Sequence, residues 1–120
     1  MEEIKLGTVE LRFAEIVWQN EPLSSGELVK RCAAELNWKK STTYTVLKKL
    51  CDRGILQNCD GTVSSRLSRQ EYDSRQSEQF VDEAFHGSLP AFLAAFTARK
   101  SLSPEDIAQL RRLVEEYEEG

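Results

Sequence analysis

The dipeptide Asp60-Gly61 constrains this chain more than any other feature. Asp-Gly is a favoured pair for a two-residue type I′ turn, where both positions take positive φ. The flanking runs, Ile55–Cys59 and Thr62–Leu67, are short enough to be the two arms of one hairpin. Elsewhere the patterned stretches repeat at helical spacing. Three helices followed by one hairpin is the order of a winged helix-turn-helix. The fold class expected is mainly α with a small β-hairpin, and further helices after it.

The helical stretches carry their own boundaries. "TVELRFAEIVWQN" puts Val9, Phe13, Ile16 and Val17 on one stripe, so a first helix is expected over roughly 8–19 before "EPL" breaks it. "SSGELVKRCAAELN" places Ser24 three residues before Glu27, the capping-box spacing. Its inner face is expected to be Leu28, Val29, Cys32 and Ala33, in a helix over roughly 25–35. "STTYTVLKKLCDRG" is the third, with Ser41 expected as its cap and Gly54 where a left-handed C′ residue is wanted. Beyond Arg69 a helix over roughly 69–84 ends in Phe80, Val81, Ala84 and Phe85, and "HGS" interrupts it. A short helix follows with Leu89, Phe92, Leu93 and Phe96. A last one opens with Ser103 as N-cap and Pro104 at N1.

The third helix is the functional candidate. At about 100° per residue, Thr43, Val46, Leu47 and Leu50 share one side. Ser41, Tyr44, Thr45, Lys48 and Asp52 lie opposite, with Thr42 and Lys49 at the margin. The major groove of B-DNA admits one α-helix, which needs an apolar face docked on its own domain and short polar groups on the other. Its rims need cations for phosphates, and Lys39, Lys40, Lys48 and Lys49 stand there. Ser41, Thr42, Tyr44 and Thr45 are the candidate readers of base edges, while phosphate contacts set register. Strands around Asp60-Gly61 are expected to bring Asn58, Thr62, Ser64 and Arg66 near the adjacent backbone. A lysine-rich helix face is also commonly just a solvated surface, and winged helices also serve as plain protein-binding modules. That protein-only module is the competing reading.

Charge divides the chain in two. Formal net charge is −4. Residues 1–70 carry 11 Lys/Arg against 9 Asp/Glu, net +2, and residues 71–120 carry 5 against 11, net −6. The expected organisation is a winged-helix DNA-binding domain at 1–70 and a helical dimerisation domain at 71–120. Phe80, Phe85, Leu89, Phe92, Leu93, Phe96, Leu110, Leu113 and Val114 are the expected dimer interface, because three short helices cannot enclose that many large side chains alone. Burying a handful of them across an interface contributes on the order of 10 kcal/mol gross, at about 1.5–3 kcal/mol each, and association costs remove much of it.

Several classes of function are disfavoured. An enzyme with a nucleophile–base pair needs a cysteine or serine near a histidine, and the sole histidine, His86, falls at an inter-helix break. No glycine-rich phosphate loop or paired-acid pocket is apparent. Cys32, Cys51 and Cys59 have neither C-x-x-C spacing nor a nearby histidine, so no metal and no cofactor is expected. Cys32 and Cys51 read as small buried hydrophobes. No apolar run approaches the roughly 20 residues that span a bilayer, and "MEEIKLG" is not a secretory signal, so the expected location is cytoplasmic.

The chain resembles the penicillinase-repressor family, bacterial regulators of β-lactamase, methicillin-resistance and copper-export genes. The residues that carry the likeness are "GTVELRFAEIVW", "WKKSTTYTVLKKLCDRGIL" from Trp38 to Leu56, "SRQEY" at 68–72, "GSLPAFLAAF" and "LSPEDIAQLRRLVEE". The resemblance implies a repressor that binds dyad-symmetric operators as a homodimer. It places Thr42, Tyr44 and Thr45 at reader positions, with Lys48 and Lys49 along the same helix. Several members carry an arginine or lysine at one of those positions, where this chain has Tyr44, which implies a different operator. The wing, "DGTVSSRL", is shorter than in many members. Resistance-type members are inactivated by a cut before a phenylalanine in the dimerisation part, which implies a membrane sensor protease as a further partner. The matching bond here is Ala95–Phe96, with alanine where those members carry asparagine; on the residues alone, Phe96 is simply a core position on the same stripe as Phe92 and Leu93. The copper branch uses cysteine pairs near its C-terminus, and "RRLVEEYEEG" has none.

Overall fold

The computed structural model describes residues 4–119. In chain order the elements are α1 (Thr8–Asn20), β1 (Leu23–Ser24), α2 (Ser25–Leu36), α3 (Lys40–Asp52), β2 (Leu56–Cys59), β3 (Thr62–Ser65), α4 (Arg69–Phe85), α5 (Leu89–Thr97) and α6 (Pro104–Glu119). The chain divides into two compact units, Met1–Ser77 and Glu78–Gly120. The division falls inside α4, later than the break at 70/71 expected from composition. No helix among the described residues is long and apolar enough to cross a membrane.

The first unit is built on one core. Phe13 and Val17 of α1, Leu28 and Cys32 of α2, Leu50 of α3, and Ile55, Leu56 and Val63 of the hairpin are all fully enclosed. Val9, expected on the α1 stripe, is instead 54% exposed. The buried stripe of α1 is Phe13, Ala14, Ile16 and Val17, so it begins one turn after Val9, which lies in the first turn of the helix. In α2 only Leu28 and Cys32 of the four expected inner residues are fully buried.

Sheet topology departs from the expected two strands. Residues 23–24 form a third, giving the order β1-β3-β2, with β3 paired antiparallel on both sides. Leu23 pairs with Val63, and Leu56 with Ser65. A two-residue strand has no alternation to detect. Its partner β3 is what defines it. The hairpin turn is as expected: Cys59 pairs with Thr62, and Asp60 and Gly61 have φ of 52° and 86°, the type I′ signature.

α4 begins in the first unit. Tyr72 is buried against Trp18, ring centroids 5.6 Å apart. The Arg69 guanidinium lies 5.4 Å from the Trp18 ring centroid and reaches Glu15 at 3.5 Å. Trp18 Nε1 donates to Leu67 O at 3.0 Å.

The second unit holds the rest of α4, with α5 and α6. His86 (φ 51°) and Gly87 (φ 81°) turn the chain between α4 and α5. Ser88 then caps α5, its Oγ accepting from Ala91 N–H at 3.1 Å. Ser103 caps α6 by accepting from Asp106 N–H at 3.0 Å, as the Ser-Pro sequence predicts. Phe80, Phe85 and Phe92 meet edge to face at 5.6–6.0 Å. Among the described residues, no apolar side chain of this unit is fully buried.

Candidate nucleic-acid interface

α3 is positioned at both ends by the residues that bound it. At its entry, Trp38 stacks on Phe13 with ring centroids 5.6 Å apart. Lys39, in extended conformation, is the N-cap, and no side chain caps the first N–H groups. Ser41 therefore is not the cap. It lies in the first turn, because Lys39 and Lys40 continue directly into the helix. The uncapped start leaves donors facing outward, the arrangement that accepts an anion. At its exit the chain forms a Schellman turn. Gly54 (φ 79°) donates to Cys51 O at 3.0 Å, and Ile55 N–H donates to Leu50 O at 3.0 Å.

The inner face of α3 docks through Thr43, Leu47 and Leu50. Thr43 is 1% exposed, and its Oγ1 donates to Lys39 O at 3.3 Å, so the buried hydroxyl is satisfied. Cys32 packs beside it, and burial pushes the Cys32 thiol up from its ordinary range. Burial likewise raises the half-buried Cys51, while Cys59 is exposed on the hairpin.

The outer face presents Ser41, Thr42, Tyr44, Thr45 and Lys48, all exposed. Two of these candidate readers already use a hydroxyl proton. Thr45 Oγ1 donates to Ser41 O at 2.9 Å, and Tyr44 Oη donates to Ser25 Oγ at 3.1 Å. What Thr45 offers a base edge is thus its oxygen lone pairs and its methyl group. Ser41 and Thr42 are the shortest side chains nearest the N-terminal end.

The cations separate into three kinds. Among the described residues no carboxylate pairs with Lys39 or Lys40. Lys48 pairs with Asp52 at 3.1 Å, both well exposed. Such an i,i+4 pair contributes only about 0.2–0.5 kcal/mol, so Asp52 holds Lys48 only weakly. Lys49 is different. Its ammonium contacts Glu10 of α1 at 2.9 Å, and Glu10 also faces Arg53 at 3.7 Å and accepts from Gly7 N–H at 3.1 Å. The Lys49 contact and the Gly7 N–H hold the Glu10 carboxyl below its ordinary range. Lys49 thus ties α3 to α1. Glu10 lay outside the sequence-based candidates. An acid on the solvent side of an amphipathic helix is a weak clue, and its partner stands 39 positions away.

The wing is anchored at its base and braced across its face. Glu21 accepts from Ser65 N–H at 2.8 Å and from Ser65 Oγ at 2.9 Å. Gln57 Nε2 donates to Ser64 Oγ at 2.9 Å, and Gly61 N–H donates to Asn58 Oδ1 at 2.9 Å. Of the four wing candidates, Asn58 and Ser64 therefore serve the hairpin itself, while Thr62 and Arg66 are exposed. Tyr44, Leu47, Lys48, Cys51 and Asn58 line a shallow groove between α3 and β2.

A helix docked by one face, hydroxyl-bearing and cationic on the other, beside a hairpin closed by a two-residue turn, defines a winged helix-turn-helix protein. The chain belongs to the penicillinase repressor family, whose model matches residues 6–116. It is 23% identical over 117 residues to the penicillinase repressor of Bacillus licheniformis, covering 94% of this chain and 91% of that one. It is 18% identical over 114 residues to the methicillin resistance regulatory protein MecI of Staphylococcus aureus, covering 92% and 93%. Among solved structures, the multiple antibiotic-resistance repressor (MarR) of Listeria monocytogenes aligns at 18% identity and a TM-score of 0.47, over 94% of this chain and 73% of that one.

Proposed function

We propose that this chain is a cytoplasmic, sequence-specific transcriptional repressor that binds duplex DNA as a homodimer on dyad-symmetric operators. The observation that carries the reading is the two-faced recognition helix. Thr43, Leu47 and Leu50 dock it, and Ser41, Thr42, Tyr44 and Thr45 stand outward between Lys39–Lys40 and Lys48. In this reading α3 lies in the major groove and Arg66 with Thr62 approaches the flanking backbone.

Homodimer formation is supported by the second unit. Phe80, Leu89, Phe96, Leu113 and Val114 are 45–63% exposed, more apolar surface than a small soluble unit leaves to water. Phe92, Leu93, Phe96, Leu102, Leu110 and Leu113 also line an open cleft of about 530 Å³. A second copy brings an equivalent surface and covers both. Two winged helices on one two-fold axis gain affinity by effective concentration, and their recognition helices stand about 34–36 Å apart or at a multiple of that. Relief of repression by a membrane sensor protease is supported by the position of Ala95–Phe96. The bond lies near the end of α5, among the proposed dimer contacts, so a cut there removes part of that surface.

A gel-shift titration against fragments of the chain's own promoter, followed by footprinting, tests the proposal. Protection of two half-sites related by a dyad is the expected result. Binding no tighter than to random duplex at every salt concentration refutes it and favours the protein-only module.

A further inference from the structure

Ser25 stands where three parts of the winged helix meet. It is the first residue of α2 and directly follows β1. Its backbone N–H donates to Gly61 O in the wing turn at 2.8 Å. Its Oγ accepts from Tyr44 Oη on α3 at 3.1 Å. Helix α2 has no use for that hydroxyl, because its N-cap is Ser24, whose Oγ accepts from Glu27 N–H at 3.0 Å. Ser25 is held in turn by its neighbour, since Ser24 pairs with Thr62 across the sheet.

A tyrosine on an open helix face exchanges among staggered χ1 wells. A bond from the phenol tip to a residue fixed on both sides selects one of them. The ring then has a set place relative to the wing turn as well as to its own helix. Ordering a reader before it meets its target lowers the cost of binding. It also sharpens discrimination, because a ring that cannot swing away cannot accommodate a second base.

We propose that Ser25 is a positioning residue for base recognition. Its Oγ fixes the Tyr44 ring, and so sets which base the operator must carry opposite Tyr44. This rests on the reading of α3 as the helix that enters the major groove. Ser25 itself contacts no base.

The test uses the full chain and a library of operator duplexes carrying each single base substitution, read by competition anisotropy. The proteins are wild type, Ser25→Ala, Ser25→Thr, Tyr44→Phe, Tyr44→Ala and the Ser25→Ala/Tyr44→Phe double variant. Ser25→Ala and Tyr44→Phe break the same bond from opposite ends. Each is expected to relax preference at the same operator position in each half-site, by about threefold to tenfold, the yield of one hydrogen bond. The double variant relaxes it no further, and Ser25→Thr, which keeps a hydroxyl, retains the wild-type pattern. Salt dependence stays unchanged throughout.

If Ser25→Ala leaves the preference intact, or relaxes it only at positions indifferent to Tyr44→Ala, the role of Ser25 is overturned while the DNA reading stands. If Tyr44→Ala shifts no position at all, the assignment of Tyr44 as a reader falls, and this proposal with it. Should Ser25→Ala disturb the start of α2, the double variant carries the test, since an effect on the helix start adds to that of Tyr44→Phe whereas loss of the shared bond does not, and additive relaxation overturns the proposal.

Discussion

Lys48 and Lys49 are neighbours in sequence, yet they are expected to respond to substitution in opposite ways. Lys48 has only the exposed Asp52 to leave, whereas Lys49 contacts Glu10, whose side chain is 20% exposed. In the proposed dimer on DNA, Lys48→Ala is expected to remove one phosphate contact per copy, so two in all. Each contact contributes about −0.9 to the log–log salt slope. The slope is therefore expected to flatten by about 1.8. Between about 50 and 200 mM salt, wild-type affinity falls by roughly 12-fold more than that of the variant, from the same relation. Lys49→Ala leaves the slope nearly unchanged and instead loosens α3 from α1. Exposed pairs contribute up to about 1 kcal/mol, and a pair with one shielded partner lies at the upper end of that range. The melting temperature then drops by about 4–8 °C, the usual response of a domain this size to 1 kcal/mol. Anisotropy titrations of one operator duplex at four salt concentrations, paired with thermal melts, measure both quantities. The reasoning is refuted if Lys49→Ala flattens the slope as much as Lys48→Ala while melting like wild type.

The remaining predictions use the same geometry. Glu10 has a native pKa below its unfolded value, so it contributes stability that is fully present above about pH 4.5 and lost as pH falls through the lowered native value. Glu10→Gln is expected to be less stable than wild type at neutral pH, with the gap closing in acid-titration melts below that point. Leu113→Asp, at a position 63% exposed, is expected to leave the first unit folded and shift the chain to monomer in sedimentation velocity, with operator affinity falling at least tenfold. Gly54→Ala puts a side chain at φ 79°, which costs about 1–2 kcal/mol; a circular-dichroism melt unchanged from wild type contradicts the role given to the Schellman turn.

Elements with repeating pattern or strong turn chemistry were legible in the sequence. The helices of the first unit, the Asp60-Gly61 hairpin, the Gly54 exit and the Ser24 and Ser103 caps all depend on residues within a few positions of one another. What escaped depends on distant partners. β1 exists because β3 lies beside it. Tyr72 belongs to the first core because Trp18 is there to receive it, which no boundary drawn from charge totals reveals. The outer face of α3 was readable as a list of residues. The division of labour within it was not, because Glu10, Asp52 and Ser25 decide which of Lys49, Lys48 and Tyr44 are already engaged.

Among the described residues, all the buried apolar side chains lie between Leu6 and Tyr72. Scission at Ala95–Phe96 would therefore leave the reading head's interior whole. The severed protein would not be denatured debris but a folded, solitary half able to visit single half-sites fleetingly. Derepression would then be a loss of grip rather than of shape, and would need no destruction of the remnant.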